Sequence, residues 1–247
     1  MKYISFITAL LFICSSCLND NYDGPNANFH GKIIDVETGE PVQSEQPNGF
    51  QIRFTEVSWG TNAQAQSFWG MQDGSFNWDY LFGYEGSKYQ GSPYKVATYV
   101  VEPFDGAFDL EDGKKTIEVK PGQRISVEFK VSPFIRIESS YELNGTDLTV
   151  KYKMKRSEKK SSTKYKAAGV IVSSRTKFLS ASNNVGGKED EFSKMLSSLQ
   201  LGSYKDGKEL TSTVKLDAGK QYWMTVGGCL QGTDRWNYTP IVEIKVP

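Results

Sequence analysis

Aromatic side chains are concentrated between residues 59 and 84, where they alternate with amides and carboxylates. The residues of this segment best suited to face a ligand are Trp59, Trp69, Trp78 and Tyr80. A flat aromatic ring can stack on the C–H face of a sugar, while neighbouring amides and carboxylates hydrogen-bond its hydroxyl groups. The segment therefore predicts a glycan-binding surface. The alternative is that Phe76, Phe82 and one of the tryptophans fill a hydrophobic core.

A second candidate surface lies near the C-terminus, in the stretch "GTDRWNYTP". Arg235, Trp236 and Tyr238 precede the last predicted strand, and as a loop they could form a sugar platform. A packing role between domains or at the start of a strand is an equal alternative. Both interpretations stay open at this point.

Residues suited to catalysis are few. The single histidine, His30, lies on the first predicted strand, and Cys229 has no local signature of a cysteine hydrolase. Paired carboxylates are the remaining option for hydrolysis, and the chain concentrates acids in one segment at Glu102, Asp105, Asp109, Glu111 and Asp112. Acids that follow a strand are usually solvated turn residues. We therefore expect no catalytic residues, no metal site, no cofactor and no enzymatic activity.

The segment from Lys151 to Lys166 carries eight basic residues and one acid, Glu158. Lysines that alternate along "KYKMK" are typical of the wet face of an edge strand, where they prevent pairing with other chains. The following "RSEKKSS" is predicted to be a hairpin loop. The alternative is a site for acidic polysaccharide or lipid headgroups, which salt would weaken.

The N-terminus carries an export signal. An apolar segment of residues 4–13 is too short to span a bilayer and is followed by Ser15, Ser16 and Cys17. This pattern resembles a bacterial lipobox and predicts a signal peptide over residues 1–16, with Cys17 lipidated. Residues 17–27 form a polar tether. Plain secretion with nearby cleavage is the alternative, and in either case Cys229 is left without a disulfide partner.

Short segments rich in β-branched and aromatic residues predict an all-β chain of two antiparallel β-sandwiches, over residues 28–132 and 133–247. "VKPGQR" predicts a hairpin between the strands on either side of it. "LDAGKQYW" suggests the tyrosine corner of immunoglobulin and fibronectin-like sandwiches, with Tyr222 as its tyrosine. Apolar residues spaced at i, i+3, i+4 and i+7 predict one amphipathic helix near residues 188–200.

Three motifs connect the first sandwich with a known family. "GKIIDVETGEPV" resembles the opening turn of carboxypeptidase-regulatory-like, transthyretin-type domains, and "DGSF" and "GSPYKVATY" resemble later parts of the same pattern. Over residues 17–247 the chain resembles a family of two-domain Bacteroidetes surface lipoproteins of unassigned function. That resemblance implies an outer-membrane location, a polysaccharide-utilisation locus, and a TonB-dependent transporter and a substrate-binding lipoprotein as partners.

Two functions follow from these observations. The first is a surface glycan-binding protein, held to the membrane by lipid, that assists polysaccharide uptake. The alternative is a structural subunit that packs on the transporter complex and binds no glycan. Acidic and basic residues balance at 29 each, so nothing in the overall charge indicates a nucleic-acid partner.

Overall fold

The computed structural model describes residues 24–60, 63–86, 93–181 and 191–247. Within these residues, sixteen strands form four sheets, and the fold is all-β as predicted. One hydrophobic core extends from Ala27 to Val131 and another from Ile135 to Val246. We refer to the elements around these cores as the N-terminal and C-terminal sandwiches. In the described part of the chain no helix is long and apolar enough to cross a membrane.

The N-terminal sandwich contains eight strands in two sheets of four. The strands are β1 (Ala27–Asp35), β2 (Gln51–Glu56), β3 (Ala65–Trp69), β4 (Ser75–Leu81), β5 (Ala97–Phe104), β6 (Phe108–Leu110), β7 (Lys115–Val119) and β8 (Arg124–Pro133). One sheet has the order β4-β1-β8-β6 and the other β3-β2-β5-β7. The pair β1 and β8 is parallel, so this sandwich is mixed rather than wholly antiparallel.

The predicted hairpin at "VKPGQR" is wrong, although the turn itself forms. The amide of Gln123 donates to the carbonyl of Lys120 at 3.2 Å, but β7 pairs with β5 while β8 pairs with β1 in the other sheet. A Pro-Gly turn reverses the direction of the chain, but it does not determine which strand the following segment pairs with. The connection is therefore a corner that carries the chain from one sheet to the other.

Alternation along β8 places its apolar side chains inside, as predicted. Val127, Phe129 and Val131 are buried between the sheets. The ring of Phe129 lies 6.1 Å from that of Phe76, which in turn lies 5.1 Å from that of Phe29. Gly31 stands opposite this cluster on β1, where backbone and ring approach so closely that no side chain fits. The first core is thus an aromatic layer built against a glycine.

The C-terminal sandwich also contains eight strands, and its two sheets pack around the second core. The strands are β9 (Ile135–Asn144), β10 (Asp147–Arg156), β11 (Tyr165–Ser173), β12 (Glu191–Ser197), β13 (Leu210–Lys215), β14 (Gln221–Leu230), β15 (Trp236–Tyr238) and β16 (Val242–Lys245). One sheet has the order β13-β10-β9. The other has β12-β11-β14, with β15 and β16 both paired to β14.

The tyrosine predicted to form a corner lies in this core. Tyr222 is fully buried, and its hydroxyl accepts a hydrogen bond from the backbone amide of Asp217 at 3.1 Å. The bond ties the turn before β14 to the strand that follows it. The local contact predicted from "LDAGKQYW" is confirmed.

The helix predicted near residues 188–200 is wrong for the described part of that range. Residues 191–197 form β12, which pairs with β11 over the whole stretch from Ser173↔Glu191 to Ala167↔Ser197. Only α1 (Ser198–Leu201), a single turn, is helical. Because β11 is buried over most of its length, its open edge requires a partner, and that pairing overrides the local periodicity.

The basic segment is also placed differently from the prediction. Lys151, Lys153 and Lys155 are exposed on one face of β10 as expected, but β10 lies between β9 and β13 and is not an edge strand. The loop that follows is not a hairpin, since β10 and β11 belong to different sheets. Its lysines instead reach the N-terminal sandwich, as described below.

Gly31 offers a direct test of how closely the first core is packed. A Cβ atom at this position would lie 1.7 Å from the carbonyl oxygen of Val127 and 2.7 Å from the ring of Phe76. We expect Gly31→Ala to lower the free energy of unfolding by about 3 kcal/mol or more, measured by urea denaturation. Gly24→Ala is the control, because nothing lies within 4 Å of its Cβ position. Equal stability of the two variants would contradict the packing described.

Candidate functional site

The aromatic residues predicted to bind glycan in the N-terminal sandwich have different environments. Tyr80 is 64% exposed and Trp69 is 40% exposed, whereas Trp78 is only partly accessible. The side chain of Trp59 lies outside the described residues. Phe76 is buried as the alternative required, but Phe82 is 45% exposed and does not belong to the core.

Trp78 is committed to packing. Its ring stacks on Phe68 with the centroids 4.9 Å apart and an angle of 18° between the planes. A further contact joins it to Phe54 at 5.7 Å. Trp78 therefore packs on the edge of the first core, and the face of its ring that stacks on Phe68 is not open to a sugar.

The predicted platform at residues 232–240 is corrected by the structure. Trp236 and Tyr238 lie on β15 and are 8% and 6% exposed. Their rings stack at 6.2 Å in a small third core that also includes Ile171 and Leu179. Neither ring can reach a ligand, because both are buried in this core. The packing alternative left open by the sequence is the one that the structure supports.

Arg235 joins the two sandwiches instead of facing a ligand. Its guanidinium makes two hydrogen bonds to the carboxylate of Asp105 and a third to the carbonyl oxygen of Asn48. The same guanidinium lies 5.4 Å from the centre of the Trp69 ring. A cation placed over an indole is stabilised by the ring electrons. Trp69 and Arg235, predicted to bind glycan at two separate places, are thus one structural contact.

The acidic segment of residues 102–112 is neutralised by ion pairs. Within the N-terminal sandwich Glu102 pairs with Arg53 and Lys114, and Asp112 pairs with Lys115. The three remaining acids pair with cations of the C-terminal sandwich, in the combinations Asp105–Arg235, Asp109–Lys160 and Glu111–Lys159. We call these three pairs, together with Asp35–Arg136, the seam. The segment is a joint between the sandwiches rather than a set of solvated turn residues.

Asp35–Arg136 is the most enclosed pair of the seam. Two hydrogen bonds of 2.7 Å join the guanidinium to both carboxylate oxygens, and the side chains are 7% and 15% exposed. Asp35 also accepts the amide of Glu37 at the turn "VETGEP", where Gly39 adopts a φ of 74°. Burial would raise the pKa of Asp35, but the hydrogen bonds from Arg136 and Glu37 outweigh it, so the pKa lies below its usual 3.8.

Further hydrogen bonds join the two sandwiches beside the ion pairs of the seam. Glu45 is 1% exposed and accepts hydrogen bonds from the hydroxyls of Ser180 and Tyr238 at 2.8 and 3.3 Å. The side-chain amide of Gln72 bonds both the carbonyl and the amide of Leu179, as a neighbouring strand would. These contacts hold the loop after β11 against the N-terminal sandwich.

A cleft opens beside these contacts, between the two sandwiches. It has a volume of about 560 Å³, which lies within the ~300–1,000 Å³ typical of ligand pockets. Its lining combines amides, one carboxylate, one ammonium and apolar groups, contributed by Gln43, Gln46, Met71, Gln72, Asp73, Lys177, Phe178 and Ile241. Met71 and Phe178 are 48% and 47% exposed. We call this feature the central cleft.

One polar atom of the central cleft is shielded from water. The side-chain oxygen of Gln46 is buried and has no hydrogen-bond partner among the described residues. Lining of this kind, with exposed apolar groups beside amides, fits an uncharged polar ligand that has apolar faces. The residues come from four separate loops, so no local sequence pattern could have predicted them.

A second recess, lined by Tyr80, Phe82, Gln64 and Gln66 among others, lies at the open side of the first core. Its volume is about 60 Å³, which is far below the ~300 Å³ at the lower end of ligand pockets. Tyr80 remains a predicted ligand residue that the structure does not connect with the central cleft.

Two residues considered for catalysis, Cys229 and His30, are held in contacts within the fold. Cys229 is buried, and burial raises the pKa of its thiol to about 12, so the reactive thiolate is suppressed near neutral pH. Nδ1 of His30 lies 2.7 Å from the side-chain oxygen of Asn28 on the same strand. In the described ranges no three His, Cys, Asp or Glu side chains are grouped so as to hold a metal ion.

Solved structures share this architecture. The chain is 24% identical to a "putative carbohydrate binding protein" from Bacteroides uniformis, with a TM-score of 0.63 and coverage of 90% of this chain and 100% of that one. A DUF3823 family protein from Bacteroides uniformis is 21% identical with a TM-score of 0.66, at the same coverages. Another, from Parabacteroides merdae, is 17% identical with a TM-score of 0.67, again at 90% and 100% coverage.

The shared fold extends over both sandwiches, since each match covers 90% of this chain. At such identities the comparison establishes the fold alone. No protein-family model and no curated protein matches the chain. Residue roles must therefore be argued from this chain's own geometry.

Acid should weaken the seam through Asp35. Because its pKa is lowered on folding, Asp35 stabilises the fold above its unfolded pKa of 3.8, and this contribution is lost as the pH falls through the folded value. We expect Asp35→Asn to lose about 3 kcal/mol of unfolding free energy at neutral pH, because it leaves Arg136 enclosed without its counter-charge. At about pH 2, below the unfolded pKa of 3.8, the difference from the unmodified protein should be smaller. Urea denaturation at both pH values measures it, and an equal difference at the two would contradict this role.

Proposed function

We propose that the protein is a non-enzymatic, glycan-binding lipoprotein of the outer membrane that assists polysaccharide uptake. The observation that carries the proposal is the central cleft, where exposed Met71 and Phe178 stand beside glutamine amides. Sugars present both apolar C–H faces and hydroxyl groups, and a lining of this composition can contact both.

The seam supports a binding role because it fixes the walls of the cleft. Gln72 is one wall residue, and its amide also holds Leu179 beside Phe178 of the opposite wall. Binding to a site costs less entropy when its walls are already held in place, because they do not have to be ordered by the ligand. The ion pairs hold the sandwiches in the same arrangement, so the cleft exists before a ligand arrives.

The cellular location is proposed from the N-terminal sequence. Lipidation at Cys17 would hold the mature chain at a membrane, in agreement with the resemblance to Bacteroidetes surface lipoproteins. A fold shared with a "putative carbohydrate binding protein" of Bacteroides uniformis agrees with a glycan ligand. The expected partners are the bilayer, an oligosaccharide or polysaccharide, and the transporter and substrate-binding lipoprotein of the same locus.

Glycan binding is tested by affinity electrophoresis and isothermal titration against plant, host and microbial polysaccharides. Phe178→Ala should weaken binding by about fivefold to tenfold, since an aromatic contact contributes about 1 kcal/mol or slightly more. Combining it with Met71→Ala should remove most of the remaining affinity.

Tyr141→Ala serves as the matched control for this test. Tyr141 is 46% exposed, close to the 47% of Phe178, but lies on β9 away from the cleft. Glycan affinity unaffected by Phe178→Ala would contradict the assignment of the cleft. No binding to any glycan, combined with co-purification with the transporter, would favour a purely structural subunit.

Lipidation is tested by substituting Cys17 and, separately, Cys14 of the predicted signal peptide. In cells fed a labelled fatty acid, Cys17→Ala should abolish incorporation into the protein and release it from the membrane fraction. Cys14→Ala is the matched control and should leave both unchanged, because residue 14 lies within the predicted signal peptide. Label retained in Cys17→Ala would contradict the anchor.

A further inference from the structure

The N-terminus enters the fold at one end of the N-terminal sandwich. The side chain of Asn26 accepts the amide of Gly83 at 2.7 Å and donates to its carbonyl at 3.1 Å. Its backbone carbonyl accepts the amide of Gly122 at 2.8 Å. Asn26 therefore fixes the incoming chain against the loop after β4 and the turn before β8. We call this region, residues 80–86, 93–96 and 120–124, the anchored end.

The anchored end is exposed and carries both aromatic rings and cations. Tyr80 and Phe82 are 64% and 45% exposed. Its described residues include the cations Lys95, Lys120 and Arg124 and one acid, Glu85, which pairs with Lys120 at 2.8 Å, and the acids Asp79 and Glu118 lie at its borders. Aromatic rings and cations together are the composition that proteins place at the surface of an anionic bilayer.

The opposite end of the sandwich faces the seam. β1 leads from Ala27, beside the anchored end, to Asp35, which binds Arg136. At about 3.3 Å per residue, its nine residues separate the two ends by about 26 Å. The central cleft is on the seam side, because its residues Gln43 and Gln72 follow the turns at that end.

The segment before Asn26 is short. From Cys17 to Asn26 there are 26 − 17 = 9 residues. Fully extended they reach about 30 Å at most. A lipid on Cys17 would thus keep the anchored end within about 30 Å of the membrane.

We propose that the anchored end lies directly on the lipid bilayer, with Tyr80 and Phe82 in the interface and Lys95, Lys120 and Arg124 near anionic headgroups. This inference rests on the proposed lipidation of Cys17. A contact of the protein surface with the bilayer adds to the membrane affinity that acyl chains provide, and the anchored end supplies such a contact. The arrangement directs the central cleft outward, away from the membrane.

The test replaces the natural anchor, so that it does not depend on acylation. The chain from residue 18, with an N-terminal polyhistidine tag, is tethered to vesicles of phosphatidylethanolamine and phosphatidylglycerol that contain a nickel-chelating lipid. An acrylodan probe is attached at Phe82→Cys or, as the matched control, at Tyr141→Cys. The two positions are 45% and 46% exposed. Cys229 remains unlabelled because it is 1% exposed and burial raises its pKa to about 12.

Tethering should shift the emission of the probe at position 82 to shorter wavelength and leave that at position 141 unchanged. Hydrogen exchange on the unsubstituted chain provides a second measurement, and should show added protection confined to the anchored end. No shift at position 82, or equal shifts at both positions, would overturn the proposal. A shift that requires outer-membrane proteins in the vesicles would overturn it in favour of a protein partner. If only the Cys17→Ala experiment fails, the lipid anchor is wrong while this membrane contact stands.

Discussion

The ion pair between Asp35 and Arg136 is the constraint on which the arrangement of the two sandwiches depends. It joins the last residue of β1 to the second residue of β9, so it couples the first strand of one sandwich to the first strand of the other. Enclosed charges are costly to remove from water, and this pair offsets the cost with two short hydrogen bonds and a backbone amide. The other three ion pairs of the seam join the same two sandwiches and hold the same arrangement.

The seam explains why the sequence carries so many features that resemble a site. Its acids, lysines and arginines, and the aromatic rings beside them, are residue types that also bind ligands and perform catalysis, and they are concentrated in short segments. Arg235 illustrates the ambiguity, since its guanidinium bonds a carboxylate and a carbonyl and covers an indole. In a binding site the same contacts would be made to a ligand. Here both partners belong to the chain, and the result is a rigid joint.

Predictions from sequence succeeded where the determining contact is local and failed where it is not. The alternation of Val127, Phe129 and Val131 and the hydrogen bond of Tyr222 depend on neighbours within a few residues, and both are present. The partner of a strand after a turn is a property of the whole sheet, which is why the hairpin at "VKPGQR" and the helix near residues 188–200 were wrong. Trp236 could not be assigned as core or surface, because Leu179 and Ile171, which cover it, are more than fifty residues away in the chain.

The candidate site lies away from the segment that the sequence predicted, and the reason is the same: its determining contacts are not local. Density of aromatic residues pointed to the segment from Trp59 to Tyr84, yet its rings are divided among the first core, the joint with Arg235 and the anchored end. The central cleft is instead lined by loops between residues 43 and 241, each contributing one to three side chains. No window of sequence contains enough of them to be recognised. The cleft exists only because the seam brings those loops together, so a property of the joint, rather than of any motif, decides where this chain can hold a ligand.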